Sequence, residues 1–183
     1  MQQGDELKKS LLKKLPEVWL RGPLPYVPSL LQPAAHTLLQ ANEELQERLK
    51  HFPAALIWDR PAGVASIAFH LQHITGVLDR LFTYAEGNML SAVQLGYLER
   101  EGIREDTVRL PELLETLDQS VTKAIERLQK ISAETLTGVR FVGRQRVPST
   151  TIGLLFHAAE HTMRHTGQAL VTAGIIENAN GEI

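Results

Sequence analysis

Leucine, isoleucine, valine and alanine recur at intervals of three and four residues in four stretches of the chain, and charged or amide side chains fill the positions between them. This period places the apolar side chains on one face of an α-helix. The pattern therefore predicts four long amphipathic helices, over residues 29–50 and 64–86, from Pro111 onward, and over residues 149–173.

Proline, glycine and hydroxyl residues mark the predicted ends of these helices. Pro111 suits the first turn of the third helix, because a missing backbone N–H has no consequence there. Ser149 or Thr150 is suited to cap the fourth helix. Gly87 and Gly174 are placed to end the second and fourth helices in the left-handed conformation.

The segments between the helices define the expected architecture. Residues 88–110 form a long crossover between the second and third helices and include a short helix in the sequence SAVQLGYLERE. Residues 132–148 are irregular or form a short hairpin. These features predict an all-α four-helix bundle with at least one parallel pair of neighbouring helices. We expect an N-terminal extension with a short amphipathic helix over residues 1–28, the bundle over 29–174, and a tail over 175–183.

Composition narrows the range of functions. The chain has 183 residues, of which 43% are hydrophobic and 22% charged, as in a single globular domain. A formal net charge of −2 provides no basic surface for nucleic acid. The absence of cysteine excludes disulfides, thiolate nucleophiles and cysteine-based metal sites. No apolar run approaches the length of a membrane span or a secretion signal, so we expect a cytoplasmic protein that binds neither nucleic acid nor membrane.

Histidines provide the main candidate chemistry. Five of the seven lie in two groups, on the predicted second and fourth helices: His70 and His73, and His157, His161 and His165. Imidazoles four residues apart on a helix can converge on one ion, so His161 can pair with either neighbour in its group. The outer two are separated by a rise of about 12 Å and cannot both bind that ion. Either histidine of the second helix can supply a third ligand if the two helices are neighbours.

Two other metal-binding patterns of helical proteins do not fit. Di-iron carboxylate bundles place a glutamate three residues before a histidine, but Ala158 and Thr162 occupy those positions before His161 and His165. The HExxH motif of zinc proteases is also absent, because the segment reads HTMRH. The histidines are therefore expected to act without these carboxylate partners.

Two segments resemble the signatures of a known superfamily. They are SIAFHLQHI, which begins at Ser66, and HTMRHTGQ, which begins at His161. These resemble the DinB-like superfamily of four-helix bundles, which includes damage-inducible DinB proteins, YfiT-type metal-dependent hydrolases, and bacillithiol and mycothiol S-transferases. The resemblance covers about residues 29–174. It implies a DinB/YfiT-like bundle with the long crossover between the second and third helices.

The resemblance also selects a set of metal ligands. It implies that the ion is bound by His73, seven residues after Ser66, together with His161 and His165. Three other side chains remain as alternative ligands or as hydrogen-bond partners of the ligands: His70, His157 and Gln168. No general base and no other catalytic residue can be assigned.

The implied function is that of a metalloenzyme. Three imidazoles suit Zn, Ni or Fe and leave coordination positions for a reactant. The resemblance implies a divalent metal that activates water or a low-molecular-weight thiol, hence a hydrolase or a bacillithiol- or mycothiol-type S-transferase. The partners would be a small-molecule substrate, a thiol cofactor and a second copy of the chain in a homodimer. The alternative is a non-catalytic bundle that acts in dimerisation or small-ligand binding.

Overall fold

The computed structural model describes residues 15–181. This part of the chain contains five α-helices and one antiparallel hairpin: α1 Gln32–Leu49, α2 Ile67–Ala85, α3 Ala92–Arg100, α4 Leu110–Gln129, β1 Val139–Val142, β2 Val147–Thr150 and α5 Thr151–Ala179. The short amphipathic helix predicted within residues 1–28 depends mainly on residues 1–14, which lie outside the described residues.

Helices α1, α2, α4 and α5 form the predicted four-helix bundle, in which α5 and α4 each pack against both α1 and α2. Two contacts show the relative directions of the helices. Arg127, in the last turn of α4, donates a 2.7 Å hydrogen bond to Glu86 just after α2, so these two helices are parallel. Arg48 and Glu177 pair near the ends of α1 and α5, so these helices are also parallel. The fold class and the long crossover are confirmed.

The apolar stripes predicted from the sequence meet in the core of the bundle. The predicted core positions that are at most 2% exposed include Leu38, Leu45, Ile67, Leu71, Ile74, Leu117, Val121 and Leu128. Leu81 and Ile125, on the edges of their stripes, are only partly buried. Leu155 and Ala158 of α5 are buried in the same cluster, so the core is built from apolar side chains of all four long helices. None of the described helices has the length and apolar character needed to cross a membrane.

Local capping signals position the two helices that carry the histidines. The Ser66 hydroxyl accepts a hydrogen bond from the backbone N–H of Phe69 and begins α2. The Thr150 hydroxyl accepts one from Gly153 and begins α5, which settles the choice between Ser149 and Thr150. These caps satisfy backbone donors that have no partner within the helix.

The predicted end of the last helix is wrong. Helix α5 continues through Gly174 to Ala179, so most of the predicted C-terminal tail is helical. The reason is tertiary, because Ile176 is 3% exposed and packs in the core. Glu177 also pairs with Arg48 of α1. These contacts hold the helix together beyond a residue that, taken alone, suits a helix end.

Candidate metal centre

Three histidine side chains from α2 and α5 converge on one point. One ring nitrogen from each of His73, His161 and His165 lies within 4.8 Å of the other two. The Nε2 atoms of His73 and His161 are 3.0 Å apart, although 88 residues separate them in sequence. The packing of α2 against α5 thus brings together the two histidine groups recognised in the sequence.

The three nitrogens fit a divalent cation. An ion with metal–nitrogen bonds of about 2.0–2.1 Å holds neighbouring ligand atoms about 2.8–3.4 Å apart, with the shorter distances in octahedral and the longer ones in tetrahedral geometry. The 3.0 Å separation of His73 and His161 lies within that range. The all-imidazole donor set suits Zn, Ni or Fe. All three side chains are partly exposed, so a small molecule can reach this side of the bundle.

Burial keeps two of the clustered imidazoles, His161 and His165, in the neutral form that can bind a metal. Burial and the nearby His73 together lower the pKa of His165 to about 4. The same two causes lower the pKa of His161 below its ordinary value. Neutral imidazole is the metal-binding form, so these two rings are ready to bind at neutral pH without first losing a proton.

His70 lies behind the cluster and contacts one of its three histidines, His165. Its Nδ1 is 3.0 Å from Nδ1 of His165, and the residue is 3% exposed. Burial, followed by the proximity of His73, lowers the pKa of His70 to about 4. A neutral His70 can therefore share one hydrogen bond with His165 and orient that ring, as the partners of metal ligands commonly do.

The other two candidate side chains, His157 and Gln168, form no hydrogen bond with the three clustered histidines. The Nδ1 atom of His157 is 2.6 Å from the Glu160 carboxylate, which also accepts a 2.6 Å hydrogen bond from Arg164. His157, Glu160 and His161 form a second, more exposed group of potential ligands on α5 alone. The side chain of Gln168 is exposed and forms no hydrogen bond with any residue between 15 and 181.

A further residue, Glu101, contacts the cluster from the position directly after α3, and no motif in the sequence predicted it. Its carboxylate Oε2 is 2.7 Å from His73 Nδ1, and its Oε1 accepts a hydrogen bond from Arg80. Burial acts to raise the pKa of Glu101, but hydrogen bonds from His73 and Arg80 outweigh it and hold the pKa below its ordinary value. The available sequence signals were a charged residue on the apolar helix α2, Arg80, and a glycine in its interior, Gly76.

Two comparisons with known proteins agree with this architecture, and a third finds no match. A family model described as the DinB superfamily matches residues 37–169, a range that contains all three clustered histidines. No curated protein sequence matches the chain. A crystal structure of a conserved protein from Enterococcus faecalis is similar, with a TM-score of 0.63, 21% identity, and coverage of 78% of this chain and 94% of that one. At this level of identity the structural likeness shows the fold alone.

Proposed function

The chain belongs to the DinB superfamily, and we propose that it is a metal-dependent enzyme acting on a small molecule, either as a hydrolase or as a thiol S-transferase. The convergence of His73, His161 and His165 carries this proposal, because one nitrogen from each lies within 4.8 Å of the others. These three side chains would hold the divalent cation. When bound, such a cation lowers the pKa of a water molecule or of a thiol and so supplies a nucleophile at neutral pH.

The protein's own residues orient two of the three imidazoles. The ring of Phe69 stacks on His73 with the centroids 5.1 Å apart and the planes at 12°, which limits rotation of the imidazole. His70 Nδ1 lies 3.0 Å from His165 Nδ1 and orients that ring. Packing and hydrogen bonds thus hold His73 and His165 in place, as a preorganised site requires, whereas the buried Nδ1 atom of His161 has no hydrogen-bond partner among the described residues.

The form of the site favours a catalytic over a structural role. Structural zinc sites have four protein ligands, whereas three ligands leave a position for a reactant. The fold does not depend on the ion for its core, since the apolar stripes of the long helices already form one. A cation at this partly exposed cluster would therefore serve chemistry rather than folding.

Metal analysis tests the first half of the proposal. Purified protein loaded separately with Zn, Ni or Fe is expected to retain about one ion per chain after desalting. His73→Ala, His161→Ala and His165→Ala should each lower this occupancy sharply. His36→Ala and His51→Ala, at positions outside the cluster, are the matched controls and should retain it. Wild-type protein that retains no ion under these conditions would contradict the proposal.

Activity assays test the second half. The metal-loaded protein is expected to turn over at least one member of a panel of esters, amides and electrophiles supplied with bacillithiol or mycothiol. Turnover should disappear in His161→Ala and after chelation. A protein that binds its ion and shows no turnover across the panel would favour the non-catalytic alternative, in which the bundle binds a small ligand.

A homodimer is a separate part of the proposal. Three large apolar side chains on α5 are exposed: Phe156, Val171 and Ile175. Exposed apolar groups on one helix favour association, and two-fold dimers are the commonest soluble oligomers. Light scattering coupled to size-exclusion chromatography is expected to give about twice the mass of one chain.

A further inference from the structure

Glu101 reaches the histidine cluster from the crossover between α2 and α4, outside the two helices that carry the histidines. Its Oε2 lies 2.7 Å from His73 Nδ1, on the other side of the ring from the Nε2 atom that faces His161. Its Oε1 accepts a hydrogen bond from Arg80. The Glu101 side chain is only 4% exposed, so these two partners take the place of water.

An ionised carboxylate only accepts hydrogen bonds, so the His73 nitrogen that faces it carries a proton. In a neutral imidazole the other nitrogen, Nε2, then has a free lone pair. We propose that Glu101 is a positioning residue of the metal centre, which keeps His73 in the Nδ1–H tautomer and leaves Nε2 free to bind the cation. This inference rests on the proposed function for the identity of the site as a metal centre.

Hydrogen bonds dock the crossover on α2 close to Glu101. The Tyr97 hydroxyl donates a 3.1 Å hydrogen bond to the backbone carbonyl of Gln72, and the side-chain oxygen of Gln72 accepts one of 2.9 Å from the Gly102 N–H. Gly76 of α2 faces this contact, where a Cβ atom would collide with the carboxylate of Glu101 and lie 2.9 Å from the Tyr97 ring. No residue of α3 is fully buried, so these contacts are central to its docking.

Arg80 makes the role of Glu101 testable, because a guanidinium group only donates hydrogen bonds. In Glu101→Gln the single amide oxygen is expected to face Arg80, which leaves the NH2 group against His73 Nδ1. His73 must then accept at Nδ1, and the ring proton moves to Nε2, the atom that would bind the cation. The isosteric variant is therefore expected to invert the tautomer of His73.

Removing Arg80 should reverse this effect. In the double variant Arg80→Met/Glu101→Gln the amide can turn its oxygen toward His73 and accept from Nδ1–H again. Arg80→Met alone keeps the carboxylate and should keep the wild-type tautomer. If Glu101 only stabilised the fold, the tautomer of His73 would not invert in Glu101→Gln and return to Nδ1–H in the double variant.

Nitrogen-15 NMR of the imidazoles in metal-free protein at pH 8 measures the tautomer directly. The expected order is Nδ1–H in wild type, Nε2–H in Glu101→Gln, and Nδ1–H in the double variant. Zinc and nickel affinities, measured by competition with a chelator, should fall ten- to hundred-fold in Glu101→Gln and recover in part in the double variant.

Glu86→Gln is the matched control for affinity. Glu86 accepts a hydrogen bond from an arginine, as Glu101 does, but this partner is Arg127 of α4, and Glu86 belongs to neither group of potential metal ligands. This variant should keep the wild-type affinity, whereas a loss equal to that of Glu101→Gln would overturn the assignment.

The outcomes separate this inference from the proposed function. A wild-type tautomer and wild-type affinity in Glu101→Gln overturn the inference even if the protein binds metal. Wild-type protein that binds no metal overturns the proposed function. Even then, the NMR measurement on metal-free protein decides whether Glu101 controls the tautomer of His73. If Glu101→Gln alone does not fold, Glu101→Gln and Glu101→Ala are compared in the Arg80→Met background, where only Glu101→Gln should retain the Nδ1–H form.

Discussion

His70 and His165 face each other with their Nδ1 atoms 3.0 Å apart. Two imidazole nitrogens at this distance share one proton, because two lone pairs or two N–H groups would repel. If His165 binds a cation through Nε2, its Nδ1 must carry the proton, and His70 accepts it. The buried His70 therefore orients His165, one of the three ligands of the proposed centre.

The metal-free protein is expected to lose stability as the pH falls from about 6.5 to about 4. Burial lowers the pKa of both His70 and His165 from 6.5 to about 4, so the unfolded chain binds protons in this range and the folded chain does not. Within this range His70 lowers the stability by about 1.4 kcal/mol for each pH unit of acidification, and the partly exposed His165 adds a smaller amount. Urea unfolding in the presence of chelator at several pH values measures this slope.

The slope should decrease in His70→Gln, which removes the more buried of the two groups. His51→Gln, at an exposed position outside the cluster, is the control and should keep the wild-type slope. An equal slope in wild type and His70→Gln would show that other groups cause the acid sensitivity.

A bound cation is expected to raise the melting temperature. A ligand at a hundred times its Kd stabilises the folded state by about 2.7 kcal/mol. For a domain of this size that corresponds to a rise of about 5–10 °C. Scanning fluorimetry with Zn or Ni, before and after chelation, measures the shift, which should be absent in His165→Ala and retained in His36→Ala. No shift in wild type with either metal would favour a metal-free hydrogen-bond network among the histidines.

The helices could be predicted because their determinants are local. Within each helix the sequence shows apolar residues at intervals of three and four. Members of these repeats are buried as expected, among them Leu38, Leu45, Leu71 and Leu128. For the arrangement of the helices, the sequence offered only the length of the crossover, which predicted at least one parallel pair of neighbouring helices. The end of α5 could not be predicted, since it depends on contacts between its last turns and α1.

The histidine groups could likewise be predicted, but their partners could not. Residue type and four-residue spacing singled out His161 and its neighbours, while the choice of His73 and His165 came from the family resemblance. Glu101 directly follows α3, a short helix with no buried residue, and its approach to His73 depends on how that helix docks. Sequence periodicity contains no information about such a contact.

The two adjacent isoleucines of α5 test why this helix extends beyond Gly174. Ile176 is 3% exposed and Ile175 is 48% exposed. Ile176→Ala is expected to lower the free energy of unfolding by about 2–4 kcal/mol, because it leaves a cavity in the core. Ile175→Ala should change it by less than about 0.5 kcal/mol. Equal effects in urea unfolding would show that the last turns of α5 do not pack as described.

Two helical glycines offer a matched test of how closely the crossover approaches α2. Alanine is favoured over glycine in a helix interior by about 1 kcal/mol, so substitution at an open position stabilises the protein. Gly167 of α5 has no atom within 4 Å of an added Cβ, and Gly167→Ala should follow this rule. At Gly76 the added Cβ meets the Glu101 carboxylate and the Arg80 guanidinium, so Gly76→Ala should destabilise the protein instead. Urea unfolding of the two variants is expected to give changes of opposite sign, and a stabilising Gly76→Ala would mean that Glu101 does not lie against α2.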